Sequence, residues 1–110
     1  MSEQISVTKV SDPDRYQISQ GDDVAGFAQY VDADGARVFF HTVIDQAYGG
    51  RGLGGKLIAA ALDDTRAAGL KASPVCSFVQ HYLDKHEEYF DLGVAPTGEH
   101  LAAARTIPQL

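Results

Sequence analysis

Apolar and polar side chains alternate through the first part of the chain and, from Gly52 onward, fall into a helical period. Residues 5–10 and 15–19 read as short strands split by the turn cluster Ser11-Asp12-Pro13-Asp14. Gly21-Asp22-Asp23 returns the chain into a third strand, Val24 to Val31. The stretch Asp32-Ala33-Asp34-Gly35 is a hairpin-type turn, because Asp34-Gly35 readily supplies positive φ. The fourth strand, 36–44, carries bulky groups on both alternating sets: Val38, Phe40 and Ile44 on one, Phe39 and Val43 on the other. A strand of that kind is expected to be covered on both faces.

From Gly52 to Ala68, residues Leu53, Leu57, Ile58, Ala61, Leu62 and Thr65 make one stripe, with Lys56, Asp63 and Arg66 largely opposite. That spacing predicts an amphipathic helix, and Gly69 suits the position just past its end. Leu70 to Val79 reads as a further strand, irregular at Pro74, and residues 80–92 as a short helix with Tyr82, Leu83, His86, Tyr89 and Phe90 on adjoining sides. Beyond Gly93 the pattern fades, and 93–110 is expected to be a loosely held C-terminal tail. The predicted order is four strands, helix, strand, helix, an α/β (α+β) arrangement. An antiparallel meander comes first, and a strand-helix-strand crossover then sets 36–44 parallel to 71–79.

At 110 residues one core is expected, with residues 1–92 as a single domain. A net charge of −6 has the wrong sign for general nucleic-acid binding, and it mildly favours a cationic partner. The single cysteine, Cys76, excludes an internal disulfide framework. No stretch approaches the roughly 20 apolar residues of a membrane span, and Met1-Ser2-Glu3-Gln4 offers neither a basic region nor an apolar signal core, so a cytoplasmic protein is expected. Metal binding is not expected, because His41, Cys76, His81 and His86 show no zinc spacing. Asp32, Asp34 and Gly35 resemble a calcium-loop fragment, but Tyr30 and His41 stand where its end ligands belong.

The candidate chemistry centres on Tyr48-Gly49-Gly50-Arg51-Gly52-Leu53-Gly54-Gly55-Lys56-Leu57, a glycine-rich turn between strand and helix. Such a turn lets backbone N–H groups converge on an anion at a helix start. Read as a nucleoside-triphosphate loop, Gly50 to Lys56 fits until Leu57, which offers magnesium no hydroxyl. Read as a dinucleotide fingerprint, Gly50, Gly52 and Gly55 fit. The acidic residue expected about 20 positions later is missing, however, and the preceding antiparallel strands are the wrong context.

A third reading fits motif and surroundings together. The turn resembles the acetyl-coenzyme A pyrophosphate loop of the GNAT acetyltransferase superfamily, with Gly52 and Gly54 at its last two fixed positions. The minimal YjdJ-like branch is similar in further segments: Gly26-Phe27-Ala28-Gln29-Tyr30, Phe40-His41-Thr42-Val43-Ile44, Pro74-Val75-Cys76-Ser77-Phe78-Val79 and Tyr82 to Tyr89. Gly49 departs from the Gln or Arg usual at the first loop position, so Arg51 or Lys56 is expected to share the phosphate contact.

The resemblance implies a splayed parallel pair holding acetyl-coenzyme A as substrate, with transfer of its acetyl group to a primary amine. It assigns the coenzyme to Thr42, Val43 and Ile44 on the strand and to Gly49, Gly50, Arg51, Gly52, Leu53, Gly54, Gly55 and Lys56 in the turn. Cys76 is the candidate for direct or acyl-enzyme chemistry, Tyr82 for the acid that protonates the leaving thiolate, and His41 for the base. Each also has a structural reading, as a small buried hydrophobe, a packing tyrosine and a satisfied strand histidine. The implied acceptor is a protein or peptide amine or a small cationic amine. A coenzyme A-binding module without turnover is the alternative.

Overall fold

The computed structural model describes residues 4–110, so Met1–Glu3, on which the reading of the N-terminus largely rests, lie outside the described residues. Five strands, β1 (Ile5–Val10), β2 (Arg15–Gln20), β3 (Asp23–Ala33), β4 (Ala36–Ile44) and β5 (Lys71–Pro74), form one sheet in chain order. β1 to β4 are antiparallel neighbours, while β4 and β5 run parallel. β5 is the last strand, followed outward only by a single parallel bridge from Ala72 to Gly93.

The helix α1 (Leu53–Ala67) crosses from β4 to β5 and buries the stripe its sequence predicts, Leu53, Leu57, Ile58, Ala61, Leu62 and Thr65. It packs on Tyr16, Ile18, Ala28, Tyr30 and Phe39 of the sheet. Each fully buried Leu or Ile contributes about 1.5–3 kcal/mol relative to exposure. A polar hub fastens the same layer. Arg37, 4 % exposed, donates from Nε and Nη2 to both carboxylate oxygens of Asp32 (2.8 and 3.0 Å) and from Nη1 to the Tyr16 hydroxyl (2.6 Å) and Asp64 Oδ2 (3.2 Å). The Tyr16 hydroxyl in turn donates to Asp64 Oδ2 (2.6 Å).

Three expectations change. The strand expected over 70–79 stops at Pro74, which has no N–H to extend the ladder. The helix expected over 80–92 starts earlier, as α2 (Ser77–Lys85), and is interrupted at His86 before a single 3-10 turn, Glu87–Tyr89. The C-terminal segment, expected to be loosely held, forms the helix α3 (Gly98–Arg105) on the opposite face of the sheet from α1, against β3 and β4. Its start is closed by a capping box in which the Thr97 hydroxyl accepts from His100 N and His100 Nδ1 accepts from Thr97 N, both at 3.2 Å. Beyond it, the buried Gln29 side chain donates to Pro108 O (2.7 Å) and accepts from Leu110 N (3.2 Å). Cover on both sides explains why Ala36 to Phe40 are all buried, as their two-faced bulk predicts.

Among the described residues no helix is long and apolar enough to cross a membrane.

Candidate functional site

The register of β3 on β4 pairs Gln29 with His41 and Tyr30 with Phe39, so Phe40 is an extra residue on β4. A bulge of this kind bends its strand and increases its twist. The parallel ladder with β5 ends beside it, at Phe39 and Pro74. Chain geometry completes the separation: Val75 N turns back to Ser73 O (3.2 Å), and Cys76 N makes a last bond to Phe39 O (2.8 Å) before α2 begins. β4 therefore continues through Thr42, Val43 and Ile44 with no strand among the described residues on its β5 side, leaving a splayed edge.

Cys76 sits at the start of α2, where its half-exposed thiol donates to Thr42 Oγ1 at 3.5 Å. Thr42 and Ile44 project toward the α1 side with Ala28 and Gly26, their cross-strand partners. His41 and Val43 point to the other face. There the His41 ring lies 5.6 Å from that of Phe27, and His41 Nε2 is 3.1 Å from Leu110 O. Cys76 and Thr42 thus share one side of the gap, with His41 on the other.

The glycine turn lies at the mouth of the gap. A 3-10 turn, Gln46–Tyr48, is capped by Asp45, whose carboxylate accepts from Ala47 N (3.0 Å). Gly50 and Gly52 then adopt φ of +79° and +73°, which only glycine takes without strain. Gly52 is the N-cap of α1 and has no side chain to close it, so the N–H groups of Leu53, Gly54 and Gly55 lack the usual cap partner, and no acidic residue stands in the first turn. Arg51 reaches back to Gln20 Oε1 (3.1 Å) and lies over the Tyr48 ring, while Lys56 has no acidic partner among the described residues. An uncapped helix start of this kind favours an anion; Arg51 and Lys56 flank it in the chain, although neither lines the clefts beside it.

Two clefts adjoin it. One, of about 360 Å³, is lined by Ile44, Tyr48 and the glycine turn. The other, of about 460 Å³, lies between Gly55 and the α2 residues Phe78, Tyr82 and Lys85. Phe78 belongs to both, and it packs so close over Gly54 that a Cβ there would stand 2.6 Å from Phe78 Cζ. Tyr82 is half-buried, stacked on His86 at 3.7 Å. Burial first, then the charges of Glu88 and Asp63, raise its pKa above 10.0. Phe78 and Lys85 were not among the expected site residues. With Tyr82 they occupy one helical face, a spacing that is visible once the helix starts at Ser77.

The fold is thus a mixed sheet opened beside its parallel pair, with an uncapped glycine turn following β4. Residues 15–92 match the model of the GCN5-related N-acetyl-transferase family, and the chain belongs to that family. Among solved structures it is similar to the solution structure of a GCN5-like N-acetyltransferase candidate from Staphylococcus aureus. The two are 25 % identical with a TM-score of 0.65, over 86 % of this chain and 93 % of the other. No match is found among curated proteins. Acetyltransferases of this family generally use acetyl-coenzyme A.

Proposed function

We propose that this chain is an N-acetyltransferase of the compact YjdJ-like kind, moving an acetyl group from acetyl-coenzyme A to a primary amine in the cytoplasm. One observation carries this reading: the gap where β4 and β5 part, with the Cys76 thiol against Thr42, opens onto the uncapped glycine turn. The amides of residues 49–55, with Arg51 and Lys56, hold the pyrophosphate. The free edge of β4 at Thr42–Ile44 pairs with the pantetheine arm and donates an N–H to the thioester carbonyl.

In the reaction the amine nitrogen bonds to the acetyl carbon, the carbon–sulfur bond breaks, the amine gives up a proton and the leaving sulfur takes one. Tyr82, a phenol that is protonated at neutral pH, takes the last role in this reading. Cys76 either donates to the sulfur or accepts the acetyl group first. His41 faces the side of the sheet opposite the glycine turn and suits removal of the amine proton.

Calorimetry with acetyl-coenzyme A tests the cradle, and thiol release with an amine panel tests transfer. Saturable binding with amine-dependent thiol release is expected. Absence of heat at high micromolar ligand sinks the reading, whereas binding without release from any amine reduces the protein to a coenzyme-binding module.

A further inference from the structure

The opposite face of the gap holds a second opening, of about 330 Å³, that the coenzyme reading does not use. Phe40, the extra residue of the β4 bulge, and Val75, the neighbour of Cys76, line it, so it borders the start of the splayed edge on the α3 side. Leu101, Ala104 and Arg105 of α3 form one wall, and Ile107 and Gln109 form the other.

That second wall is held by design of the sequence. Gln29, wholly buried on β3, pins the main chain at Pro108 and at Leu110, the residues on either side of Gln109. His41 adds a contact to Leu110 O. A side-chain amide with both ends committed to a segment some 80 residues distant in sequence fixes the backbone on either side of Gln109.

The lining is apolar apart from Gln109 and one charge, Arg105. Among the described residues Arg105 has no carboxylate partner, and no acidic side chain lines the opening. A cation in the last turn of α3 complements the helix dipole, but that role does not require it to face a cavity. The acidic surface as a whole favours a cationic acceptor, whereas the local lining would repel a second positive charge and pair with a negative one.

We propose that this cleft is the acceptor subsite and that it takes a primary amine with an apolar body and a carboxylate, an apolar amino acid being the simplest case, with Arg105 as the carboxylate contact and Gln29 as a positioning residue. The assignment rests on the transferase reading above. The amine enters from the α3 side and attacks through the gap. Its nitrogen bonds to the acetyl carbon as the carbon–sulfur bond breaks. The nitrogen's proton leaves on the His41 side and the departing sulfur is protonated on the Tyr82 side.

The test compares thiol release from acetyl-coenzyme A with leucine and phenylalanine, with their amides, with the corresponding amines lacking the carboxylate, and with a polyamine. The carboxylates are expected to exceed the amides about tenfold in kcat/KM. Arg105→Ala is expected to erase that preference through KM with kcat little changed, and Arg105→Lys to restore part of it. Gln29→Ala raises KM for every acceptor while coenzyme affinity by calorimetry holds. Independently of turnover, N-acetylphenylalanine should shift the amide resonances of Val75, Leu101 and Arg105. Release that is equal or greater with amides or polyamine and insensitive to Arg105→Ala, or no shift at those amides, overturns the subsite assignment alone. Coenzyme binding without release from any amine overturns the transferase reading beneath it.

Discussion

The Cys76 thiol donates to the Thr42 hydroxyl at 3.5 Å across the gap between the turn after β5 and the free edge of β4. Two strands that had stayed paired would hold these residues in a ladder. Here the β4 bulge and the proline that ends β5 leave a space between their backbones, which the two side chains overlook. If that space receives the thioester, the thiol stands beside it on the α1 side.

Cys76→Ala should therefore lower amine-dependent thiol release by about a hundredfold, within the range for removing a proton-transfer or nucleophilic group. Cys76→Ser, which keeps a hydroxyl near Thr42, should separate proton donation from acyl transfer. A serine that retains most of the rate points to donation, and a trapped acetylated Cys76 in mass spectra points to an acyl-enzyme. Calorimetric affinity for the coenzyme should be unchanged in both variants. Full activity in Cys76→Ala removes the thiol from the chemistry.

The meander and α1 were legible because each shows its own periodicity: strand alternation up to Ile44, then a helical stripe from Leu53 to Thr65. The run from Leu70 to Val79 was not, because it contains the end of a strand and the first turn of a helix, and a short apolar run looks alike in both. α3 was hidden for a different reason. Its start is a capping box with His100 where Glu or Gln is usual, and its alanine-rich body carries a weak apolar stripe. The glycine turn could be read locally, since its conformation depends on contiguous backbone. The Phe40 bulge could not, because a bulge exists only in the register of two strands. His41 and Cys76 were both nominated, yet their placement on opposite faces depends on that same register.

The Arg37 hub should bear measurably on stability. Arg37→Met keeps most of the packing volume but takes the guanidinium from Asp32 and one of three partners from Asp64, whose contacts to Tyr16 and Lys9 remain. Asp32 and Asp64 are 45 % and 46 % exposed, so water recovers part of the loss. A cost of about 2 kcal/mol is expected, below the range for breaking a fully buried pair. Urea unfolding would show it as a lower midpoint at constant slope. An unchanged midpoint would mean that the Arg37 contacts add nothing to the hold of the sheet on α1.

Acid should find the same hub. The Asp64 carboxyl is held below its ordinary 3.8 chiefly by the Tyr16 hydrogen bond, helped by Lys9 and Arg37. A group whose folded pKa is depressed adds stability above its unfolded value and loses it as pH falls through the folded one. The Asp64 contribution is thus complete at neutral pH and disappears below about pH 4. Urea midpoints measured from neutral pH downward should fall less steeply in Asp64→Asn than in the parent protein. Parallel acid limbs would assign the loss to other carboxylates.

Positive φ at three glycines allows strain and binding to be separated. Gly50, Gly52 and Gly69 sit at +79°, +73° and +76°, and a Cβ at any of them meets nothing within 4 Å. Alanine at each should cost about 1 kcal/mol of stability through backbone strain alone. Gly69 ends α1 far along the chain from the turn, whereas Gly50 and Gly52 shape the cradle. Gly50→Ala and Gly52→Ala are expected to weaken acetyl-coenzyme A binding about tenfold or more, since reorienting an amide removes charge-assisted hydrogen bonds to phosphate. Gly69→Ala should leave affinity intact while shifting the urea midpoint as far as the other two. Equal affinity in all three variants would show that the turn's conformation serves the fold and not the phosphate.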